Sequence, residues 1–264
     1  MPELPEVETV ANGLNARVQN AIIKEVWTSN KPQTFKSAPE KIARTLTNAR
    51  IEKVHRIGKT IVFTLNKPEQ FLVHLGMTGR LLVSAPEVPH PPHTHAILTL
   101  NSGKEIRFVD PRRFGRLSIT ENYLGPGAEP LTIPLEAFIT LFHTRKTPIK
   151  AALLNQSLLH GVGNIYADES LFRAHIRPRR QAARLTRAEL TALHAELKKV
   201  LKHAIKLGGS SVSDYVDADG IRGFFQLKHM VYMRTGKPCL ICNTPIKKIT
   251  VAGRSTHFCP TCQR

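Results

Sequence analysis

The tightest constraint on this chain is its four cysteines, which stand as Cys239-x2-Cys242 and Cys259-x2-Cys262 near its end. Each pair presents two thiolates from one tight turn, and two such turns complete a tetrahedron around one Zn2+. Gly236 and Pro238 before the first pair, and Pro260 inside the second, suit those turns. The competing pairing is two disulfides, which requires an oxidising compartment that nothing in the chain suggests. Four sulfur ligands leave no open position for water. The zinc is therefore structural: it folds a small hairpin and specifies no reaction.

Ahead of the cysteines the hydrophobic period changes twice. Val7, Val10, Leu14 and Val18 recur at helical spacing, with Pro5 suited to the first turn. Short β-rich runs follow at 22–28, 51–55, 60–65, 70–75, 80–84, 95–100, 105–109 and 114–120, which predict an antiparallel sandwich or barrel. Residues 85–92 hold four prolines and read as a loop. The Gly- and Pro-rich segment 124–134 reads as a linker. Beyond it, 135–143, 148–154, 164–174 and 188–207 carry helical patterns. Asn164 suits an N-cap, and Gly208-Gly209 ends the long helix. Residues 213–232 read as containing a flexible loop. The expected division is 1–123, a linker over 124–134, a helical domain over 135–232 and a zinc finger over 233–264. The class is α+β.

Charge narrows the partners. The 264 residues hold 38 Lys and Arg against 20 Asp and Glu, a net +18. Residues 1–130 carry 17 basic and 12 acidic side chains, and residues 131–264 carry 21 and 8. Such a self-repelling field points to a polyanion, with nucleic acid favoured. An anionic membrane surface would need a basic amphipathic helix with large apolar residues opposite, and none stands out. The longest apolar runs, such as Ile61–Phe63 and Phe71–Val73, fall far short of the ~20 residues a bilayer demands. No charged start leads into an apolar stretch, so no secretory signal is expected, and a cytoplasmic compartment is the expectation.

The first residues carry chemistry. Proline at position two permits removal of Met1, which leaves a secondary amine on Pro2. An α-amino group titrates at roughly 7.7–8, so a large share is nucleophilic near neutrality. Its attack on an aldehyde-like carbon gives a cationic iminium, an electron sink. Glu3 and Glu6 lie beside it on one side of a helix start; one carboxyl can protonate a leaving or ring oxygen and the other can steady positive charge.

The opening Pro2-Glu3-Leu4-Pro5-Glu6-Val7-Glu8-Thr9 resembles the start of the formamidopyrimidine-DNA glycosylase family, bacterial enzymes that excise oxidised purines. The resemblance continues in order along the chain. It takes in Gly58-Lys59, then His74-Leu75-Gly76-Met77-Thr78-Gly79, then Asp110-Pro111-Arg112-Arg113-Phe114-Gly115. Gly161-Val162-Gly163-Asn164-Ile165-Tyr166-Ala167-Asp168-Glu169 matches the helix-two-turns-helix motif, and Gly253-Arg254-Ser255-Thr256 precedes Cys259. The fold implied is an N-terminal helix with an antiparallel β-sandwich, then a helix-two-turns-helix domain with a C-terminal β-hairpin zinc finger.

The resemblance implies a bifunctional glycosylase and abasic-site lyase of base excision repair. It would act on double-stranded DNA holding 8-oxoguanine, formamidopyrimidines or abasic sites, as a monomer on the bacterial nucleoid. Pro2 would attack the sugar C1′, Glu3 would act as general acid, and Glu6 would be the supporting carboxylate. Lys59 would serve β-elimination, and Arg254 would bind the flanking phosphate and assist δ-elimination. Met77, Arg112 and Phe114 would fill the gap left by the flipped base. His93, Lys150 and Asn164 would meet phosphates, while His74 has an ordinary structural role open to it. Three positions depart from the pattern. Thr60 stands where an aromatic is common, Met233 replaces a usual glycine, and Ser213 replaces a basic residue of some relatives. The alternatives are an endonuclease VIII-like enzyme for oxidised pyrimidines and a non-catalytic zinc-ribbon DNA-binding protein.

Overall fold

The computed structural model describes residues 1–211 and 215–264, so Ser213 lies outside the described residues. The chain forms two units, residues 1–124 with 207–224, and residues 125–206 with 225–264.

The first unit opens with helix α1, Leu4–Val18. Its apolar stripe of Val7, Val10, Leu14 and Val18 is buried. Glu3 is the N-cap and forms a capping box with Glu6, Pro5 lies in the first turn and Arg17 in the last. Eight strands follow: β1 Ile23–Thr28, β2 Ile51–Ile57, β3 Thr60–Leu65, β4 Glu69–His74, β5 Arg80–Ser84, β6 Thr94–Leu100, β7 Glu105–Val109 and β8 Arg116–Glu121. They form two separate four-stranded antiparallel sheets, ordered β1-β6-β7-β5 and β2-β3-β4-β8. Two open sheets make a sandwich, which resolves the choice between sandwich and barrel. Phe63 and Phe71 pair across β3 and β4, their rings 5.5 Å apart, inside a cluster that runs from α1 to both sheets.

The sequence pattern gives no sign of helix α2, Pro39–Leu46, which buries Ile42 and Leu46 in the same cluster. One i,i+4 pair in eight residues is too little to stand out as a helical period.

The second unit holds α3 Leu135–Phe142, α4 Ile149–Leu154, α5 Asn164–Arg173 and α6 Arg187–Lys206, then the hairpin of β9 Lys247–Val251 and β10 Arg254–Phe258. The helix starting at 164 is capped by Gly163, not by Asn164, which is its first residue. The expected linker is bonded into this unit: Ala128 donates its N–H to Leu158 and accepts one from His160. The expected helical domain over 135–232 draws on both units. Gly208 and Gly209, both at positive φ, turn the chain after α6, and Leu207–Phe224 packs in the first unit. There Ala218 accepts an N–H from Val83, Asp219 pairs with Arg17, and Tyr215 joins the core cluster.

Candidate active site

Pro2, Glu3 and Glu6 are all buried at the start of α1, while Met1 ahead of them is exposed. The Glu6 carboxylate is a brace. One oxygen accepts the Glu3 N–H at 2.8 Å and the other accepts the Ser210 N–H at 2.7 Å. Tyr215 donates its hydroxyl to the Glu6 carbonyl at 3.3 Å. Burial, then the Glu6 charge, pushes the Tyr215 hydroxyl far above its usual range, so it stays a neutral donor. Gly209 passes so close that an added Cβ would sit 2.9 Å from Glu6 Oε1. The segment 207–224 is thus pinned to the residues that follow the N-terminus.

Lys59 sits in the tight turn joining β2 and β3, behind Gly58 at φ 59°, and is buried. Arg56 braces this turn: its Nε donates to Glu8 of α1 at 2.6 Å and its Nη1 to the Gly58 carbonyl at 3.1 Å. His74 pairs in register with Thr60. Burial first, then the charges of Lys59 and Arg116, lowers its pKa; its Nδ1 accepts the Gly76 N–H at 3.1 Å, as a neutral ring can. Thr60 holds the Tyr123 hydroxyl at 3.2 Å, so a phenol from elsewhere in the chain reaches the position of the departure.

Met77 and Phe114 stand on two loops and are 41% and 46% exposed. Core packing does not account for them. The Arg112 guanidinium lies 4.7 Å over the Phe114 ring, a cation–π pair. Buried Asp110 organises both loops. It accepts the Thr78 hydroxyl at 2.5 Å, the Arg112 N–H at 3.2 Å and the Gly115 N–H at 2.7 Å. Gly76, at φ 63°, lets the loops touch, since a Cβ there would lie 2.5 Å from Gly115 N. His93 is exposed at φ 66°, and its carbonyl accepts the Asp110 N–H.

In the second unit, Arg254 is exposed directly after a two-residue hairpin turn of Ala252 and Gly253, both at positive φ. Asn164 donates its Nδ2 to the Ser255 carbonyl at 2.9 Å. Lys150, expected on a phosphate, is instead 0% exposed and ion-paired to Asp168 at 2.7 Å. Glu169 gathers the Met230, Val231 and Tyr232 N–H groups and Arg173.

The four cysteine sulfurs lie within 4.8 Å of one another. Contacts of 3.9 Å for Cys239–Cys262 and 3.4 Å for Cys242–Cys259 are far beyond a disulfide bond of about 2.0 Å. They bracket the ~3.8 Å edge of a tetrahedron with zinc–sulfur bonds of about 2.3 Å. Hydrogen bonds involving Thr244 draw the Cys242 thiol down to about 6, while burial and the neighbouring sulfurs raise Cys259 and Cys262. Such crowding needs a cation at its centre, so the donor set fits one zinc.

Residues 1–117 match the formamidopyrimidine-DNA glycosylase N-terminal domain, 124–216 the H2TH domain of the same enzymes, and 236–264 the zinc finger found in FPG and IleRS. A formamidopyrimidine-DNA glycosylase of Solibacter usitatus is 44% identical over 100% of both chains. This chain belongs to the formamidopyrimidine-DNA glycosylase family.

Two solved members share its fold. The MutM (FPG) protein of Thermus thermophilus superposes with a TM-score of 0.88 at 41% identity, covering 99% of this chain and 98% of that one. A point mutant of the Lactococcus lactis FPG, in complex with Fapy-dG-containing DNA, superposes at 0.92 with 33% identity over 100% of both. The family's enzymes are DNA glycosylases of base excision repair with abasic-site lyase activity. Against that background the residues missed from sequence are supports. Arg56, Asp110, Asp168 and Tyr215 hold the expected residues in place. Only Asp110 and Asp168 fall within quoted motifs, and no local signal marks their partners.

Proposed function

We propose that the chain excises oxidised purines, 8-oxoguanine and formamidopyrimidines, from double-stranded DNA and then nicks the strand by β,δ-elimination. The observation that carries this reading is the buried Pro2-Glu3 end of α1, fixed by a Glu6 carboxylate that both neighbouring backbones engage. Once Met1 is removed, the Pro2 amine adds to C1′ as the base departs. Glu3 supplies the proton that helps open the sugar ring. The resulting iminium acidifies the C2′ hydrogen, and Lys59 serves the β-elimination. Glu6 acts by holding the helix start and residue 210 in register; its oxygens are engaged as acceptors and are not arranged to donate a proton.

Met77, Arg112 and Phe114 would occupy the stack vacated by the flipped base, with Arg112 on the orphaned partner. Exposure of all three supports this reading. His93, Asn164 and Arg254 would meet phosphates. Zinc would be held by Cys239, Cys242, Cys259 and Cys262 and would supply structure alone. The enzyme would act as a monomer on chromosomal DNA in the cytoplasm of a bacterium; no helix among the described residues is long and apolar enough to cross a membrane. An endonuclease VIII-like preference gains no support from the matched domains, and a bare zinc-ribbon binder leaves residues 1–117 unexplained.

The test is borohydride trapping on a duplex with one 8-oxoguanine. The wild-type chain is expected to cross-link through Pro2. Glu3→Gln should lower base excision by about 10²-fold or more while sparing cleavage of a preformed abasic site to within about tenfold. Cross-linking through any other residue would overturn the assignment.

A further inference from the structure

Lys150 is fully buried, and its surroundings point to a role other than phosphate contact. An ammonium has three N–H groups. Here it donates to the Ser255 carbonyl at 2.9 Å and to the Thr256 hydroxyl at 2.7 Å, and it forms an ion pair with Asp168 Oδ1 at 2.7 Å. Asp168, also fully buried, uses its other oxygen on the His257 N–H at 2.8 Å and on His257 Nδ1 at 3.2 Å. Asn164 adds a second donor to the Ser255 carbonyl. The Thr256 hydroxyl in turn bonds the Arg254 carbonyl at 3.1 Å. Three consecutive residues of β10, from Ser255 to His257, are therefore tied to α4 and α5, and Arg254 is held in turn by Thr256.

Two facts make this more than packing. A buried ion pair is a poor way to gain stability, since desolvating both charges cancels most of the attraction; it is better suited to fixing one geometry. An isolated two-stranded hairpin is also marginal in water. The cysteines fix only the end of the hairpin remote from its turn. The turn end, where Arg254 stands, is fixed by the Lys150–Asp168 pair.

We propose that Lys150 and Asp168 are positioning residues for Arg254, setting the guanidinium for the last step of strand cleavage. This rests on the glycosylase–lyase reading above. In δ-elimination the C4′ proton leaves to water and its electron pair forms a new C=C bond. The C5′–O bond breaks, and its pair departs on the phosphate, which Arg254 steadies by hydrogen bonding. Nothing is oxidised or reduced. A misplacement of about 1 Å can cost a step on the order of 10²-fold. Loosening β10 should therefore slow δ-elimination and leave the Pro2 chemistry in the other unit largely intact.

The experiment uses full-length, zinc-loaded protein on a duplex with one preformed abasic site. It separates β- from δ-elimination products and counts zinc. Lys150→Met should lower the δ/β product ratio by roughly tenfold or more, with borohydride trapping retained within about threefold. The slope of log affinity against log salt should stay unchanged, where loss of a phosphate ligand would reduce it by about 0.9. In an Arg254→Ala background, Lys150→Met should add nothing to the product ratio. Thr256→Val removes one tether between Lys150 and Arg254 and leaves the ion pair, so it should shift the ratio in the same direction even if Lys150→Met loses zinc. A salt slope lowered by about one with an unchanged product ratio would make Lys150 a phosphate ligand and overturn the proposal. So would an additive effect with Arg254→Ala. If the wild type neither traps nor cleaves, the glycosylase–lyase reading itself fails.

Discussion

Met233 sits at φ 56°, in the left-handed region where a side chain is strained, and it is exposed. Glycine stands there in the family pattern, and the backbone has kept the conformation glycine would choose. Nothing in the structure explains the methionine. Because the side chain packs little, Met233→Gly should stabilise the protein by about 0.5–1 kcal/mol, raising the melting temperature by a few degrees. Unchanged or reduced thermal stability would show that the methionine makes contacts the fold needs. Glu6 teaches the opposite lesson. From sequence it reads as the supporting carboxylate beside Pro2, with no sign of what it supports. Its role as a brace depends on Ser210, whose proximity no local pattern encodes.

At the level of elements, much of the architecture is legible in the sequence. The eight strands follow short β-rich runs, and the helices follow their apolar stripes. The two CxxC pairs bring four sulfurs together as expected, since two tight turns need little else to meet. What escapes is short or supporting. Helix α2 has too few turns to show a period. Lys150 is ambiguous in sequence because a lysine in a motif looks the same whether its ammonium faces water or a buried aspartate. The hairpin itself makes a clear prediction. Stripping zinc with a chelator should unfold residues 236–264 and abolish DNA binding, since metal binding energy is folding energy in such elements. Residues 1–124 should keep their β-sheet signal, because the sandwich has its own core. Elemental analysis finding no metal in a protein that binds DNA would refute it.

Across the whole molecule, partly or fully buried histidines set an acid limit. Burial is the leading cause that lowers His55, His74 and His229. Lys53 lowers His55 further, and Lys59 and Arg116 lower His74; Glu169 partly opposes the shift at His229. Each therefore favours the neutral ring when folded. Above the unfolded value of roughly 6.5 neither state is penalised, and this stability is fully present. As pH falls below it the unfolded chain takes up protons that the folded chain resists, so stability declines until the folded values are passed. The melting temperature should drop between pH 7 and pH 5. A flat profile over that range would contradict the burial argument.

The return of residues 207–224 to the first unit also has a consequence for biosynthesis. Pro2 and Glu3 are among the first residues to leave the ribosome, yet the brace on Glu6 comes from Ser210 and Tyr215. At about 5–20 residues per second, the first turn of α1 waits on the order of ten seconds or more for its partner. On the proposed mechanism, a nascent chain would lack the brace on its first helical turn until residue 215 has emerged. Ribosome-arrested chains ending before residue 207 should fail to trap on damaged DNA, and efficient trapping by them would show that the sandwich alone suffices.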